Sequence, residues 1–469
     1  MRQPDTEDRD SATGDPKSPT GAVTIIGGGL AGCEAAWQVA QAGHPVRLFE
    51  MRPQRGTEAH RTGDLAELVC SNSFRNASLD TAVGLLKEEM RQLGSLILQV
   101  ADRTAVPAGA ALAVDRDRFA AGVTAAVGAH RNISVIREEL TSIPHGVVIV
   151  ATGPLTSAAF SHCLQTHLGQ RHLYFYDAIA PIVSVESIDR TIAFSASRYG
   201  KGGEDYLNCP LSRDEYYAFV DAVLAAEKVP TRDFEQCVYF EGCMPIEELA
   251  RRGRDTLAFG PMRPVGLIDP RTGRRPFAVV QLRQDDAAAT LYNLVGFQTK
   301  MTHPSQRRVL RMIPGLARAE FVRLGSLHRN TFINSPAVLR STLQLRNSDD
   351  IFLAGQLVGV EGYVESAATG LLAGLNAVHR LAGQALLVPP ATTSLGSLIA
   401  YVTDRVRRDF QPMNANYGLF PPVKGGERGQ ERRRKMAARA LHDARQWAAA
   451  HGLSAPTAPG ECTEKVASH

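Results

Sequence analysis

The stretch VTIIGGGLAGCEAAWQVAQAGHPVRLFE, residues 23–50, decides the fold. Val23 to Ile26 is a β-branched apolar run of the length of a buried strand. Gly27-x-Gly29-x-x-Gly32 follows at once, Cys33 to Ala42 has helical character, and Gly43 stands where a helix C-cap needs it. Val46 to Phe49 reads as a second strand closed by Glu50. This is a βαβ unit in the context that a dinucleotide fingerprint requires. Gly27 permits the tight turn, Gly29 lets the backbone approach a pyrophosphate, and Gly32 lets helix pack on strand. The free N–H groups at the helix start, with Gly28, Leu30 and Ala31 around them, suit phosphate oxygens. Glu50 is placed to accept hydrogen bonds from a ribose 2′-OH, which points to FAD or NAD rather than a 2′-phosphorylated dinucleotide.

Length and composition bound the rest. The chain has 469 residues, 44% of them apolar, and a formal net charge of +4, so it can bury a large core and is no polycationic nucleic-acid binder. Seven cysteines without a CxxC pair argue against a disulfide scaffold and a zinc ribbon, and for a reducing cytoplasm. No metal site is expected. Residues 1–20 are polar and acidic and read as a disordered lead-in. No apolar run reaches a membrane span.

Further along, residues 51–80 read as irregular, with Cys70 at the edge of the polar loop Ser71-Asn72-Ser73. Leu85 to Leu98 predicts one amphipathic helix, Pro107 to Leu112 a turn, and Asp115 to Ala129 a helix with Arg116 and Arg118 on its polar side. Gly146 to Ala151 predicts a strand that ends in Thr152-Gly153. From about 155 to 335 the pattern is mixed and reads as an inserted α+β substrate domain. Within it, a strand runs into Gly242-Cys243 and Pro245 opens a helix. A thiol at that place is either favoured as thiolate or a small buried hydrophobe. Arginine outweighs lysine in 251–283, including Arg263, Arg271, Arg274, Arg275 and Arg283, and in 303–329, including Arg323. That bias suits planar phosphate recognition, or else a solvated charged face. Asp350 to Ala354 predicts a strand leading to Gly355-Gln356, then a Gly/Ala-rich helix over 367–381. The nucleotide domain therefore takes in 21–154 and 336–424 around the insert. A helix over 397–410 follows, and 425–469 reads as a basic helix with a mobile tail.

IGGGLAGCEAA, ELVCSNSFRN, VGLLKEEMR, YLNCPL, FEGCMPIEELARRG, NLVGFQT, MIPGLARAEFVR, HRNTFINSP, AGQLVGVEGYVESAATG and FQPMNANYGLFPP occur in this order. Together they resemble the folate- and FAD-dependent tRNA uracil-5-methyltransferase family of GidA-related flavoproteins, from about Ala22 to Val423. The resemblance implies an α/β fold: an FAD-binding Rossmann-type (GidA-like) domain with an inserted α+β substrate domain. It also implies methylation of a T-loop uridine of tRNA. The methylene would come from 5,10-methylenetetrahydrofolate, with reduced FAD, and NADPH or NADH would be the reductant. Uracil C5 becomes nucleophilic once a thiolate adds at C6. The resemblance assigns Cys243 to that addition and Cys70 to removal of the C5 proton, or the two in reverse. It places Gly355 and Gln356 at the cofactor, Glu361 at a pterin edge, and Tyr363 as a stacking or closing side chain. Arg263, Arg271, Arg274 and Arg275 would meet tRNA phosphates. No membrane and no obligate protein partner is expected. Rival readings are the flavoprotein that modifies wobble uridines with a GTPase, a relative acting on ribosomal RNA, a small-metabolite flavin oxidoreductase, and a non-catalytic flavin-dependent RNA-binding module. Cys33, Cys163, Cys209, Cys237 and Cys462 read as structural or incidental.

Overall fold

A computed structural model describes residues 21–169, 173–200, 203–229, 244–407, 410–423 and 429–453, with backbone alone for 173–178 and 327–329. Cys237, Cys243, Cys462, the lead-in 1–20 and the tail from 454 lie outside the described residues.

Val23–Ile26 and Val46–Phe49 are strands, and Leu30–Gln41 is the helix between them. They belong to a five-stranded sheet ordered Ile351–Leu353, Val147–Val150, Val23–Ile26, Val46–Phe49, Ile133–Ile136. Every pairing is parallel. Both faces of such a sheet are covered, which is why Val23–Ile26 and Val147–Val150 are unbroken apolar runs with every residue buried. The edge strand Ile351–Leu353 rejoins this sheet after some two hundred residues spent elsewhere.

On one face the first helix packs against Tyr363–Leu381. Glycine makes that approach feasible: a Cβ on Gly370 would lie 2.2 Å from Ala31 O, and one on Gly374 would lie 2.8 Å from Ala35 O. This helix starts four residues earlier than the apolar pattern predicts, directly after Gly362 at φ +117.

The intervening chain builds a six-stranded sheet ordered Phe194–Ser195, Tyr206–Leu211, Ala278–Gln284, Leu291–Leu294, Ile182–Ser184, Phe321–Arg323, with antiparallel pairings throughout. Leu282 pairs with Leu294 and Arg283 with Asn293. Side chains alternate across a strand. Leu282 and Leu294 therefore enter a core with Tyr216, Phe219 and Phe297, while Arg283 and Asn293 share the other face. A two-stranded ladder of Leu173–Ala178 with Leu327–Phe332 stands beside the two large sheets.

Several local expectations change. Leu85–Leu98 is two helices, Ala82–Gln92 and Leu96–Arg103, broken at Gly94 (φ +72). The second is capped by Ser95, whose hydroxyl donates to Glu34 Oε2 at 2.6 Å. The same carboxylate accepts from Ile97 N at 3.0 Å, so a buried acid of the first helix fixes where the second begins. Residues 73–76 form a strand paired with Ala111–Val114, inside stretches that read as loop and turn. Ser394–Val402 replaces the helix expected at 397–410. Thr393 caps it, and Glu89 receives the N–H groups of Ser394 and Leu395. Arg116 is buried rather than on a polar face. Gly429–Ala450 is helical. No described helix is long and apolar enough to cross a membrane.

Candidate functional site: two joined cavities around the Cys70 loop

The glycine-rich turn forms one wall of the first cavity. Gly27 has φ +106, and a Cβ there would lie 2.4 Å from Ala151 O. A Cβ on Gly32 would lie 1.8 Å from Gly27 O. A Cβ on Gly29, in contrast, would meet nothing within 4 Å. Gly27 and Gly32 are thus glycine for the fold, while Gly29 faces open space. Gly29 is also the N-cap of the first helix and has no capping side chain, and no acid stands in that helix's first turn. Bare N–H groups at a helix start favour an anion. Leu30, Ala31, Glu50, Gly355 and Gln356 line the same cavity.

Glu50 is buried. Its Oε2 accepts from Gly28 N at 2.8 Å, and its Oε1 from Arg52 N at 3.0 Å and Arg52 Nε at 2.9 Å. Burial alone would raise its carboxyl, but the Arg52 guanidinium and the two N–H donors outweigh that and hold it below the ordinary carboxylate range. An ionised acceptor therefore stands beside the glycine turn. Sequence reasoning missed His60 on the same wall. Burial first, and then Arg52, push its imidazole down to about 4, so it is neutral at pH 7.

The second cavity has a volume of about 350 Å³, and its walls include Cys70, Arg283, Asn293, Asn330, Glu361 and Tyr363. Gln356 and Tyr363 line both cavities, so the two spaces share a wall.

Cys70 sits on a half-buried loop that distant elements fasten. The Tyr363 phenolic oxygen accepts from Cys70 N at 2.8 Å and from Ser71 N at 3.1 Å. Arg116 donates to Leu68 O at 2.6 Å, and Arg323 to Val69 O at 2.7 Å. Arg283 donates to Asn72 Oδ1 at 3.0 Å and to Ser71 Oγ at 2.8 Å. Asn72 Nδ2 in turn donates to Val114 O and Gln284 O. All three guanidiniums are buried, and Asp285 pairs with Arg116 at 3.0 Å. Burial lowers Arg283 and takes Arg323 down to about 10, while the Asp285 carboxylate outweighs burial at Arg116 and raises it. Three cations around the Asp285 carboxylate leave the Cys70 loop in a positive surround, while the cavity wall itself carries Arg75 and Arg283 together with Glu361.

Arg283 and Arg323 were expected on a phosphate-binding face; the structure instead buries them under the Cys70 loop. Arg263, Arg271, Arg274 and Arg275 are exposed. Arg271 pairs with Asp269 at 2.8 Å. Tyr199 is 62% and Phe259 81% exposed, and Tyr199 donates its N–H to Gly266 O at 3.1 Å, three residues beyond Arg263. Glu361 is buried and its Oε2 accepts from Gln356 Nε2 at 2.8 Å. Ile246, three residues after Cys243 in the sequence, donates its N–H to Gln298 O at 2.8 Å, and Gln298 lines the second cavity. Among the described residues no group of three His, Cys, Asp or Glu side chains could hold a metal ion.

A family model described as glucose inhibited division protein A matches residues 22–385. The chain is 61% identical over 432 residues to the methylenetetrahydrofolate–tRNA-(uracil-5-)-methyltransferase TrmFO of Geobacter sulfurreducens, covering 92% of this chain and 99% of that one. It is 60% identical over 421 residues to the protein of the same name from Moorella thermoacetica, covering 89% and 96%. Among solved structures, Aquifex aeolicus GidA superposes with TM-scores of 0.67 and 0.66 in two crystal forms. The identity there is 17%, and the match covers 92% of this chain and 76% and 73% of those. That likeness concerns the fold.

Proposed function

The chain belongs to the glucose inhibited division protein A family and, within it, to the methylenetetrahydrofolate–tRNA-(uracil-5-)-methyltransferases, and from that premise we propose that it methylates C5 of a T-loop uridine in tRNA. The one-carbon donor is 5,10-methylenetetrahydrofolate, FAD is the resident cofactor, and NADPH or NADH the reductant. We place the reaction in the cytoplasm.

The shared wall of the two cavities carries this reading. A dinucleotide in the first cavity would end at Gln356 and Tyr363, and the phenolic oxygen of Tyr363 is bonded to the backbone of Cys70. The residues fit FAD. Gly29 leaves room for a pyrophosphate at an uncapped helix start, Glu50 is an ionised acceptor for a ribose, Gly355 packs against Ala31 beside that start, and Gln356 lines both cavities. Reduced FAD, when bound, supplies the electrons that bring the methylene carbon to the methyl level.

The protein's own groups do the rest. One thiolate, Cys243 in our assignment, adds to uracil C6. The S–C6 bond forms, and the C5=C6 pair becomes available at C5 to attack the one-carbon unit. Cys70 then takes the C5 proton, the bond from the new carbon to its nitrogen carrier breaks with tetrahydrofolate as the released product, and expulsion of the first thiolate restores the C5=C6 double bond. Which thiol takes which step is open to exchange. Arg116, Arg283 and Arg323 hold the Cys70 loop and keep its surround positive. Glu361, buried with Gln356, is placed for a pterin edge, and the Tyr363 ring lies between the two spaces. The exposed Arg263, Arg271, Arg274 and Arg275, with Tyr199 and Phe259, form the face offered to tRNA phosphates and bases. The target base must leave its stack to reach the cavity.

The test is an incubation of the holoprotein with undermodified tRNA, methylenetetrahydrofolate and NADPH, and a parallel one with S-adenosylmethionine as sole carbon donor. 5-Methyluridine in the T-loop is expected from the first alone. Product from the second, or modification only at the wobble position, overturns the reading.

A further inference from the structure

We propose that Asn293 and Asn330 form a carboxamide pair that binds the imide edge of the uracil to be methylated and stabilises the enolate that forms on it. The inference rests on the function proposed above and extends it to base recognition.

Asn293 is 2% and Asn330 3% exposed. The Nδ2 of each is buried, and neither has a hydrogen-bond partner among the described residues. Buried polar groups are nearly always satisfied, and those that are not call for an explanation. Both asparagines line the cavity that holds Cys70. They arrive there independently: Asn293 on the strand Leu291–Leu294 of the six-stranded sheet, Asn330 on Leu327–Phe332 of the two-stranded ladder. They fall in the motifs NLVGFQT and HRNTFINSP, for which no chemical step was otherwise assigned. Backbone register sets Asn293 opposite Arg283, whose Nε donates to Asn72 Oδ1 and whose Nη2 donates to Ser71 Oγ. The neighbouring cation therefore contributes field, while the two free amides contribute donors.

Uracil presents C2=O, N3–H and C4=O along one edge. A carboxamide offers an NH₂ donor and a C=O acceptor side by side, so two of them from different strands can satisfy that edge without burying a charge. When a thiolate adds to C6, the S–C6 bond forms and the C5=C6 pair shifts through C5 onto O4, with no proton lost at that stage. An N–H donor that meets O4 is worth more to that anion than to the ground-state carbonyl. The isoalloxazine and the pterin carry a related amide edge, so the experiment separates three sources.

Asn293→Leu and Asn330→Leu keep the approximate side-chain size and delete the unpaired amide. Asn293→Asp and Asn330→Asp keep the shape and replace the donor with a repelling oxygen. A side chain kept for structure would lower thermal stability in the Leu variants. One kept for substrate leaves Tm equal or higher. The expected result is unchanged FAD content and unchanged flavin reduction by NADPH, an unchanged KM for folate, and methyl transfer to tRNA reduced about 10²-fold or more. Methyl transfer equal to the parent overturns the inference, as does loss of FAD or a rise confined to the folate KM. A parent holoprotein that makes no 5-methyluridine overturns the function itself. A parent that makes it while all four variants match it overturns only the carboxamide pair.

Discussion

The phenolic oxygen of Tyr363 accepts the backbone N–H of Cys70 at 2.8 Å, across 293 residues of sequence. Burial raises that phenol, so it stays protonated and acts as a neutral double acceptor for Cys70 and Ser71. Tyr363→Phe leaves two N–H groups without this acceptor, at a cost of about 1–3 kcal/mol for each that water does not reach. FAD content should hold while methyl transfer falls, as read by flavin absorbance and 5-methyluridine yield on one sample. Full methyl transfer in the Phe variant would show that the loop needs no such anchor.

The two glycines that differ most in their surroundings separate fold from ligand. Gly32→Ala drives a Cβ to 1.8 Å from a carbonyl oxygen and should cost soluble protein. Gly29→Ala has room in the structure and should fold with near-parental circular dichroism, yet its methyl group takes the space assigned to a pyrophosphate. Flavin retention by Gly29→Ala after gel filtration would contradict that assignment.

Arg274 and Arg275 are exposed just after the turn at 270–273. Charge reversal at both should weaken tRNA binding and reduce the slope of log K against log salt by roughly one for each phosphate that is no longer neutralised. Reactions that need FAD but no tRNA, such as flavin reduction by NADPH, should not change. Identical salt slopes would make the turn an ordinary solvated surface.

Glu89 gives a pH signature. Burial raises its carboxyl from the ordinary 4.5 to about 7, against the lowering effect of the Ser394 and Leu395 N–H groups. Between those values the native state holds a proton that the unfolded chain has released. Stability from this group is therefore full below about pH 4.5 and is lost as pH rises through about 7. Glu89→Gln should be less stable throughout, because an amide NH₂ then confronts a backbone N–H, and it should lose that part of the slope. Urea midpoints from pH 4.5 to 8 for both proteins check this. Parallel curves would refute it.

Thiol reactivity should follow burial. Burial pushes the Cys209 thiol up to about 12, and that of Cys33 higher still. Iodoacetamide on the native protein should label half-buried Cys70 well before either, as peptide mass mapping would show.

The strand, glycine turn, helix and acid of residues 23–50 are readable because each is a local pattern with a local cause. The break at Gly94 is less so. The run Leu85–Leu98 keeps its apolar spacing across it, and what ends the helix is a left-handed glycine together with Glu34 from another element. Arg283 and Arg323 were unreadable in kind: a guanidinium in an arginine-rich stretch looks solvated, and only the partners Ser71, Asn72 and Val69, far away in sequence, bury it. Asn293 and Asn330 carried no local signal, since an asparagine in a strand is ordinary until its surroundings show that nothing satisfies it. Cys243 lies outside the described residues, so its assignment rests on the family motif.

The fastenings of the Cys70 loop also fix an order of assembly. A ribosome delivers residue 70 early, but Arg283, Arg323 and finally Tyr363 emerge much later, and chains mature from the N-terminus onward as they are made. The nascent protein therefore carries an unfinished reaction chamber through most of its synthesis, and the last piece to arrive, the helix Tyr363–Leu381, is also the one that clamps the nucleotide-binding half. A chain cut short by premature termination before residue 363 can own every motif up to that point, and all three arginine fastenings, and still lack the acceptor that holds the Cys70 and Ser71 N–H groups.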